Sequence, residues 1–318
     1  MKTKTTMFRL GVVLLLLMGG AGCDNRSDDH TVTMSGAFAL YPLAVRWKEE
    51  YTRLHPEVRI EVAAGGAGKG MTDVLSGFVD VAMLSREVRT AETAGGAVIF
   101  PVAKDAVVPV MNSANSSAAV LRRRGLTRGE CAAIWLGRNT LQWRDLSGCT
   151  DPGPVNVYTR ADACGAGEVW ALFLGGKAQD VLGGVQVAGD PGLAEAVAKD
   201  LRGLGFNNIN FAYDPETLRP VEGLEVVKID FNGNGRIDGD EDFYATRTDL
   251  VNAIRDGRFP SPPARRLYFV TKGAPARSAV REFLTWTLTG GTRFIDECGY
   301  IEIAEEEREA CLDRLRGD

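Results

Sequence analysis

The sequence predicts an α/β fold of two lobes with a ligand cleft between them, and three observations carry that expectation. From residue 31 onward, short apolar strand-like runs alternate with amphipathic helical ones, the pattern of a largely parallel sheet covered by helices. Two long extended stretches, 97–110 and 267–271, bracket about half the chain, so the stretch between them reads as an inserted lobe joined by two hinge crossovers. Three glycine-rich turns each stand between a strand and a helix, and clefts and helix N-termini are where small ligands bind.

The elements follow in order. Val32–Met34 reads as a first short strand. Residues 42–54 read as a helix, with Leu43, Trp47, Tyr51 and Leu54 at helical spacing. Val58–Val62 alternates as a strand does, 70–76 is helical, and Val79–Met83 is an apolar strand. This places lobe 1 at 31–104 and 266–318 and lobe 2 at 105–265. The charge-dense 302–316 reads as a solvated helix.

The chain has 318 residues, 45% hydrophobic and 25% charged, which is ordinary globular composition. Lys+Arg 37 against Asp+Glu 42 gives −5, which argues against a nucleic-acid partner, since such binding needs a basic face. Two histidines exclude a His-rich metal centre.

Lys2, Lys4 and Arg9 precede an apolar run, Leu10–Met18, and then Gly19-Gly20-Ala21-Gly22-Cys23. A charged start, a short apolar run and small residues before the cut describe a secretory leader over 1–22. Small residues ending at a cysteine resemble a bacterial lipobox, which implies lipidation of Cys23, with 23–30 as a tether. Cleavage elsewhere or an uncleaved anchor is the alternative. Removing three positive charges from −5 leaves −8 on the mature chain. The expected location is the periplasmic side of the cell membrane, lipid-anchored.

Outside the cytoplasm disulfides persist. With Cys23 lipidated, five cysteines remain, and Cys131 with Cys149 and Cys298 with Cys311 suggest themselves as local pairs, leaving Cys164 over. Spacing does not fix connectivity, and buried free thiols are the alternative.

The three turns are Ser35-Gly36-Ala37-Phe38-Ala39-Leu40-Tyr41-Pro42, Gly65-Gly66-Ala67-Gly68-Lys69-Gly70 and Arg160-Ala161-Asp162-Ala163-Cys164-Gly165-Ala166-Gly167. Converging amides and helix dipoles suit anions. The second is not a P-loop, because Gly70 follows Lys69 where Ser or Thr is needed. Together with Gly77 to Arg86, Ile134-Trp135-Leu136-Gly137, Trp143 and Leu267 to Gly273, the order of these motifs resembles the periplasmic phosphate-binding subunit of ABC-type phosphate importers, over about residues 31–295.

The resemblance implies a two-lobed type II periplasmic binding protein fold that closes on one oxyanion and delivers it to an ABC permease. It implies that Ala39, Leu40, Ala67, Asp80, Arg160, Cys164, Gly165 and Ala166 occupy ligand-binding positions. Asp80 would accept from a protonated phosphate oxygen, and Arg160 would pair with the anion. The pattern breaks where that family carries hydroxyls: Ala39, Ala67, Cys164 and Ala166 stand there instead. A hydrogen bond to a charged partner contributes about 1.5–3 kcal/mol, so four such losses weaken phosphate binding strongly unless other groups replace them. Backbone amides, Arg160, Lys69 and Ser35 remain as donors. A thiol at 164 near Arg160 would have a lowered pKa, unless it is simply a small buried residue in a serine's place.

Residues 230–241 match the twelve-residue EF-hand loop. Asp230, Asn232 and Asn234 supply oxygens, Gly235 makes the turn, the Arg236 carbonyl serves the seventh position, Asp238 the ninth and Glu241 the twelfth. A strand at 226–229 and a helix at 242–254 flank it. A lone loop argues for structural Ca2+ rather than a sensor. The expected function is therefore a monomeric solute-binding lipoprotein capturing phosphate or a related anion. The alternative is a calcium-stabilised sensor or interaction lipoprotein that has left transport. No nucleophile–base pair appears, so no enzyme is expected.

Overall fold

The computed structural model describes residues 30–317; the leader, Cys23 and most of the tether lie outside the described residues. The chain begins β1 (Thr31–Gly36), α1 (Tyr41–Leu54), β2 (Arg59–Ala64), α2 (Ala67–Ser76), β3 (Val81–Leu84), α3 (Thr90–Ala94) and β4 (Ala97–Asn112). It continues with α4 (Ala118–Arg124), β5 (Leu126–Thr127), α5 (Arg128–Leu136), β6 (Asn156–Arg160), α6 (Gly165–Leu174), β7 (Val185–Val187), α7 (Gly189–Lys199) and β8 (Gly203–Asn208). Then follow α8 (Ile209–Ala212), β9 (Leu224–Val226), β10 (Ile229–Asp230), α9 (Arg247–Arg255) and β11 (Ala264–Lys272). Three helices close the chain: α10 (Ser278–Thr287), α11 (Arg293–Glu297) and α12 (Glu305–Arg316).

Nine strands form one sheet, eight along the path β2-β1-β3-β11-β4-β8-β6-β7 and β9 beside it on β4, while β10 and β5 pair in a separate two-stranded sheet. The expected crossovers are β4 and β11. The 16-residue β4 pairs with β11 along 97–106 and with β8 along 107–111, so one strand serves both halves. The sheet is mixed, not largely parallel. β1 runs parallel to β2 and β3, and β6 to β7 and β8, but β11 is antiparallel to β3 and β4, and β4 to β8 and β9. The crossovers themselves are strands of the sheet, and that makes the difference.

Alternation along β4 divides the second half's core. Val107 and Met111 join Trp135, Trp170 and Phe206 on one face; Ala106, Val108 and Val110 join Leu193, Tyr213 and Leu250 on the other. In the first half α1 buries Leu43, Ala44, Trp47 and Tyr51 on one stripe, and Trp47 Nε1 donates to the Gly291 carbonyl at 2.8 Å. Leu54 ends that helix half-exposed rather than in the stripe.

Two expectations are corrected. The helix after residue 241 starts at Arg247, because the Thr246 hydroxyl and Asp249 carboxylate cap each other's amides. No disulfide forms among Cys131, Cys149, Cys298 and Cys311, all free thiols. Cys298 sits among Arg46, Arg247 and Glu297, whereas Cys311 lies on α12 beside Glu307 and Arg314, so the two occupy different surroundings. Cys131 faces the core from α5, and burial holds its thiol protonated.

Candidate functional site

Gly36 ends β1, and the chain passes through a 3-10 turn, Phe38–Leu40, into α1. The amides of Gly65 and Gly66, at the end of β2, both donate to the Gly36 carbonyl, at 2.9 and 3.0 Å, which ties the first two turns together. From the other half β6 delivers Arg160, and Cys164 caps α6 by accepting from Gly167 N at 3.2 Å. The halves meet here. Gly68 N donates to the Ala163 carbonyl at 3.0 Å. Gly165 packs so tightly on Ser85 that any Cβ would fall on its carbonyl oxygen, so only glycine allows this contact. The N-termini of α2 and α6 therefore face one another across the seam.

Beside the seam lies a cavity of about 490 Å3, lined by Arg86, Arg89, Arg160, Cys164, Glu168 and Gln179 among others. Each guanidinium already has carboxylate partners. Arg160, 2% exposed, gives Nε and Nη2 to Asp162 at 2.9 and 2.6 Å and Nη1 to Asp190 at 2.5 Å. Burial opposes its charge, but Asp190 and Asp162 outweigh that and raise its pKa. Its Cζ lies 5.4 Å from the centroid of the Phe38 ring. Arg86 forks onto Glu92 at 2.9 and 2.6 Å. Glu168 of α6 reaches across to Arg89 at 2.9 Å and Arg86 at 3.7 Å, an ionic tie between the halves. Gln179 holds the third turn, donating to the Arg160 and Asp162 carbonyls at 3.1 and 2.7 Å and accepting from Cys164 N.

Of the eight residues expected at the ligand, Arg160 and Cys164 line this cavity. Ala39, Leu40 and Ala67 are buried in the first core, and Ala166 in the second. Gly165 forms the contact between the halves. Cys164 corrects one expectation: burial, only partly opposed by Arg160, pushes its thiol up to about 12, so it is protonated at neutral pH. Lys69 and Ser35 both donate to Asp73 rather than into the cavity.

Asp80 is the larger correction. It accepts from Thr33 N at 2.8 Å, Thr33 Oγ1 at 2.9 Å and Arg277 Nη1 at 2.7 Å, clasping the starts of β1 and β3 to the start of α10. It precedes β3, whereas Ser85 follows it. The four residues of β3 separate the two, five residue steps on the order of 16 Å. The carboxylate therefore stands at the opposite end of the sheet from Arg160, and the residues that β3 delivers to the seam are Ser85 and Arg86.

The loop 230–241 folds onto its own amides. Buried Asp230 accepts from Gly233 N at 2.7 Å and Gly235 N at 2.8 Å, and Glu241 from Phe231 N and Asn232 N at 2.9 and 3.1 Å. Asn232 and Asn234 both donate to Asp238 Oδ2, at 3.0 and 2.7 Å. Arg236 pairs with Asp238 at 2.7 Å. Among the described residues no three His, Cys, Asp or Glu side chains form a metal-holding group, so a cation here needs the Asn oxygens and a carbonyl as well.

The sequence reading missed Asp162, Asp190, Gln179 and Glu168. Only Asp162, two residues past Arg160, carried a local signal; the others meet the site through the fold.

A family model described as a PBP superfamily domain matches residues 24–290. The chain is 24% identical over 299 residues to protein SphX of Synechococcus elongatus, covering 90% of this chain and 82% of that one. It is 23% identical over 306 residues to the phosphate-binding protein PstS of Xylella fastidiosa, covering 86% and 81%. An ABC-type phosphate transport receptor from Vibrio cholerae superposes with a TM-score of 0.60 at 20% identity, covering 86% of this chain and 100% of that one. A Clostridium perfringens structure with bound phosphate gives 0.69 at 19% identity, with coverage of 86% and 100%.

Proposed function

The chain belongs to the PBP superfamily, and from that membership we propose that it is an extracytoplasmic solute-binding protein of an ABC importer, lipid-anchored through Cys23, that captures an oxyanion, phosphate or a related anion, between its lobes. One observation carries the reading: the N-termini of α2 and α6 face each other across the seam beside Arg160. Two helix N-termini and a guanidinium are a sufficient donor set for one anion. The relatives named for phosphate support the ligand class.

Thermal shifts with phosphate, arsenate, sulfate and molybdate test it. At least one anion is expected to raise the melting temperature of the wild-type chain, and the rise should vanish in an Arg160→Met, Asp190→Asn double variant. The double change avoids leaving Asp190 buried without its partner. No shift with any of the four would argue for a second reading, a calcium-stabilised interaction module on the same scaffold. The pairing of all three Arg160 nitrogens with Asp162 and Asp190 favours that alternative.

In either case we propose one structural Ca2+ in the loop 230–241. Asp230 and Glu241 are buried and form no ion pair among the described residues, so a cation supplies the countercharge they lack. Asp230, Asn232, Asn234, the Arg236 carbonyl, Asp238 and Glu241 would hold it. With free calcium a hundredfold above its dissociation constant, the stabilisation is expected at about 2.7 kcal/mol. Melting with calcium against chelator measures it, and Glu241→Gln should abolish the difference. Equal melting in both conditions would remove the metal from the account.

A further inference from the structure

We infer that the Phe38 ring is a plug that weakens, without abolishing, the binding of small anions at Arg160, an inference that rests on the oxyanion reading above. Arginine receives an oxyanion along the edges of its planar fork, where N–H bonds point. At Arg160 one edge is held by Asp162, and Nη1 is held by Asp190. The Phe38 ring then stands against the guanidinium, its centroid 5.4 Å from Cζ. The far tip of the ring abuts the start of α7: a Cβ placed on Gly189 would lie 2.9 Å from Phe38 Cζ and 3.3 Å from both ring carbons beside it. Gly189 N itself donates to Asp162 at 3.0 Å, so the ring, the guanidinium and its carboxylate form one packed unit.

The ring thus comes from the first lobe and is wedged between two groups of the second. A tetrahedral anion approaching Arg160 from the side of the first turn meets an apolar surface that donates no hydrogen bond, backed by two carboxylates of its own sign. Side chains that exclude or leave unpaired the wrong ligand are a general route to discrimination. Nor is the ring fixed by deep burial. Phe38 is only half-buried, in a single 3-10 turn, so shortening it leaves the cores intact.

Calorimetric titration of the mature chain with inorganic phosphate tests the plug in four proteins: wild type, Phe38→Ala, Phe38→Leu, and Phe38→Ala combined with Arg160→Met and Asp190→Asn. Phe38→Ala is expected to bind phosphate at least tenfold more tightly than wild type. Phe38→Leu, which keeps apolar bulk, should stay within threefold of wild type, and the gain should disappear in the triple variant. Equal binding by wild type and Phe38→Ala would overturn the plug while leaving the oxyanion reading standing. A gain that survives in the triple variant would overturn it too, because the ring would not be screening Arg160. If neither wild type nor Phe38→Ala binds phosphate while circular dichroism shows both folded, the oxyanion reading falls and the plug with it.

Discussion

Replacing Arg265 by methionine is expected to destabilise the protein by about 3–5 kcal/mol, the usual consequence of stranding one member of a buried ion pair. Arg265 lies on β11 and Asp105 on β4, where the two crossovers run side by side. Nε and Nη2 of the arginine meet the two carboxylate oxygens at 2.9 and 3.2 Å, and both side chains are almost fully buried. Nη2 also donates to Asn208 Oδ1. Asn208 in turn donates through its backbone and side-chain nitrogens to Asp190, the partner of Arg160. A continuous buried polar network therefore joins the hinge to the seam.

Burial raises the pKa of Asp105 even with Arg265 pulling it down. The sign for the variant follows. A carboxyl raised in the folded state favours folding most below its unfolded pKa and loses that contribution as pH rises through the folded value. Without Arg265 the folded value rises further, so the penalty of Arg265→Met should be largest near pH 7 and shrink as pH falls toward the carboxylate range and Asp105 takes up a proton. Adding Asp105→Asn should recover most of the loss at pH 7. Urea unfolding at pH 7 and again at a pH lowered toward the carboxylate range measures all three proteins; a penalty below about 1 kcal/mol at neutral pH would mean the pair behaves as a solvated one.

That pair also shows what a single sequence conceals. The crossovers were legible because a long apolar extended stretch is rare and has a direct structural meaning: 97–110 is most of β4 and 267–271 the middle of β11. The stripe of α1 was legible from helical spacing. Partners distant along the chain were not. Nothing near Arg160 announces Asp190, 30 residues on, and nothing near Asp105 announces Arg265.

Asp80 failed for a different physical reason. A strand carries its first and last residues to opposite ends of the sheet, so a motif that spans a whole strand does not say which end its charged residue reaches. The thiols failed because spacing along a chain says nothing about Cα separation, which is what a disulfide requires. The late start of α9, by contrast, was readable from Thr246 and Asp249 as a capping box.

Trp170 connects the second core to the seam, and its truncation to alanine is expected to cost about 3–5 kcal/mol. The side chain is fully buried. Its ring meets Trp135 edge-on at 5.2 Å, stacks on Phe206 at 6.0 Å and tilts against Phe173 at 5.3 Å. It stands on α6, the helix whose first residues press Gly165 against Ser85 and bring Cys164 to the cavity. Alanine would leave a void beneath that helix, and the helix can relax into it only by withdrawing its N-terminus from the seam. Anion-induced stabilisation should therefore drop together with folding stability.

Phenylalanine at 170 separates the two contributions of the indole. It keeps most of the aromatic packing and removes Nε1, which is buried without an acceptor among the described residues. Deleting an unsatisfied buried donor relieves about 1–3 kcal/mol, which offsets part of the lost apolar area. The Phe variant is thus expected to cost well under half of what the Ala variant does and to keep its anion response. Denaturant unfolding and thermal shift on the same samples decide the point. A Phe variant as unstable as the Ala variant would show that the full bicyclic ring, which phenylalanine does not fill, is what holds α6 in place.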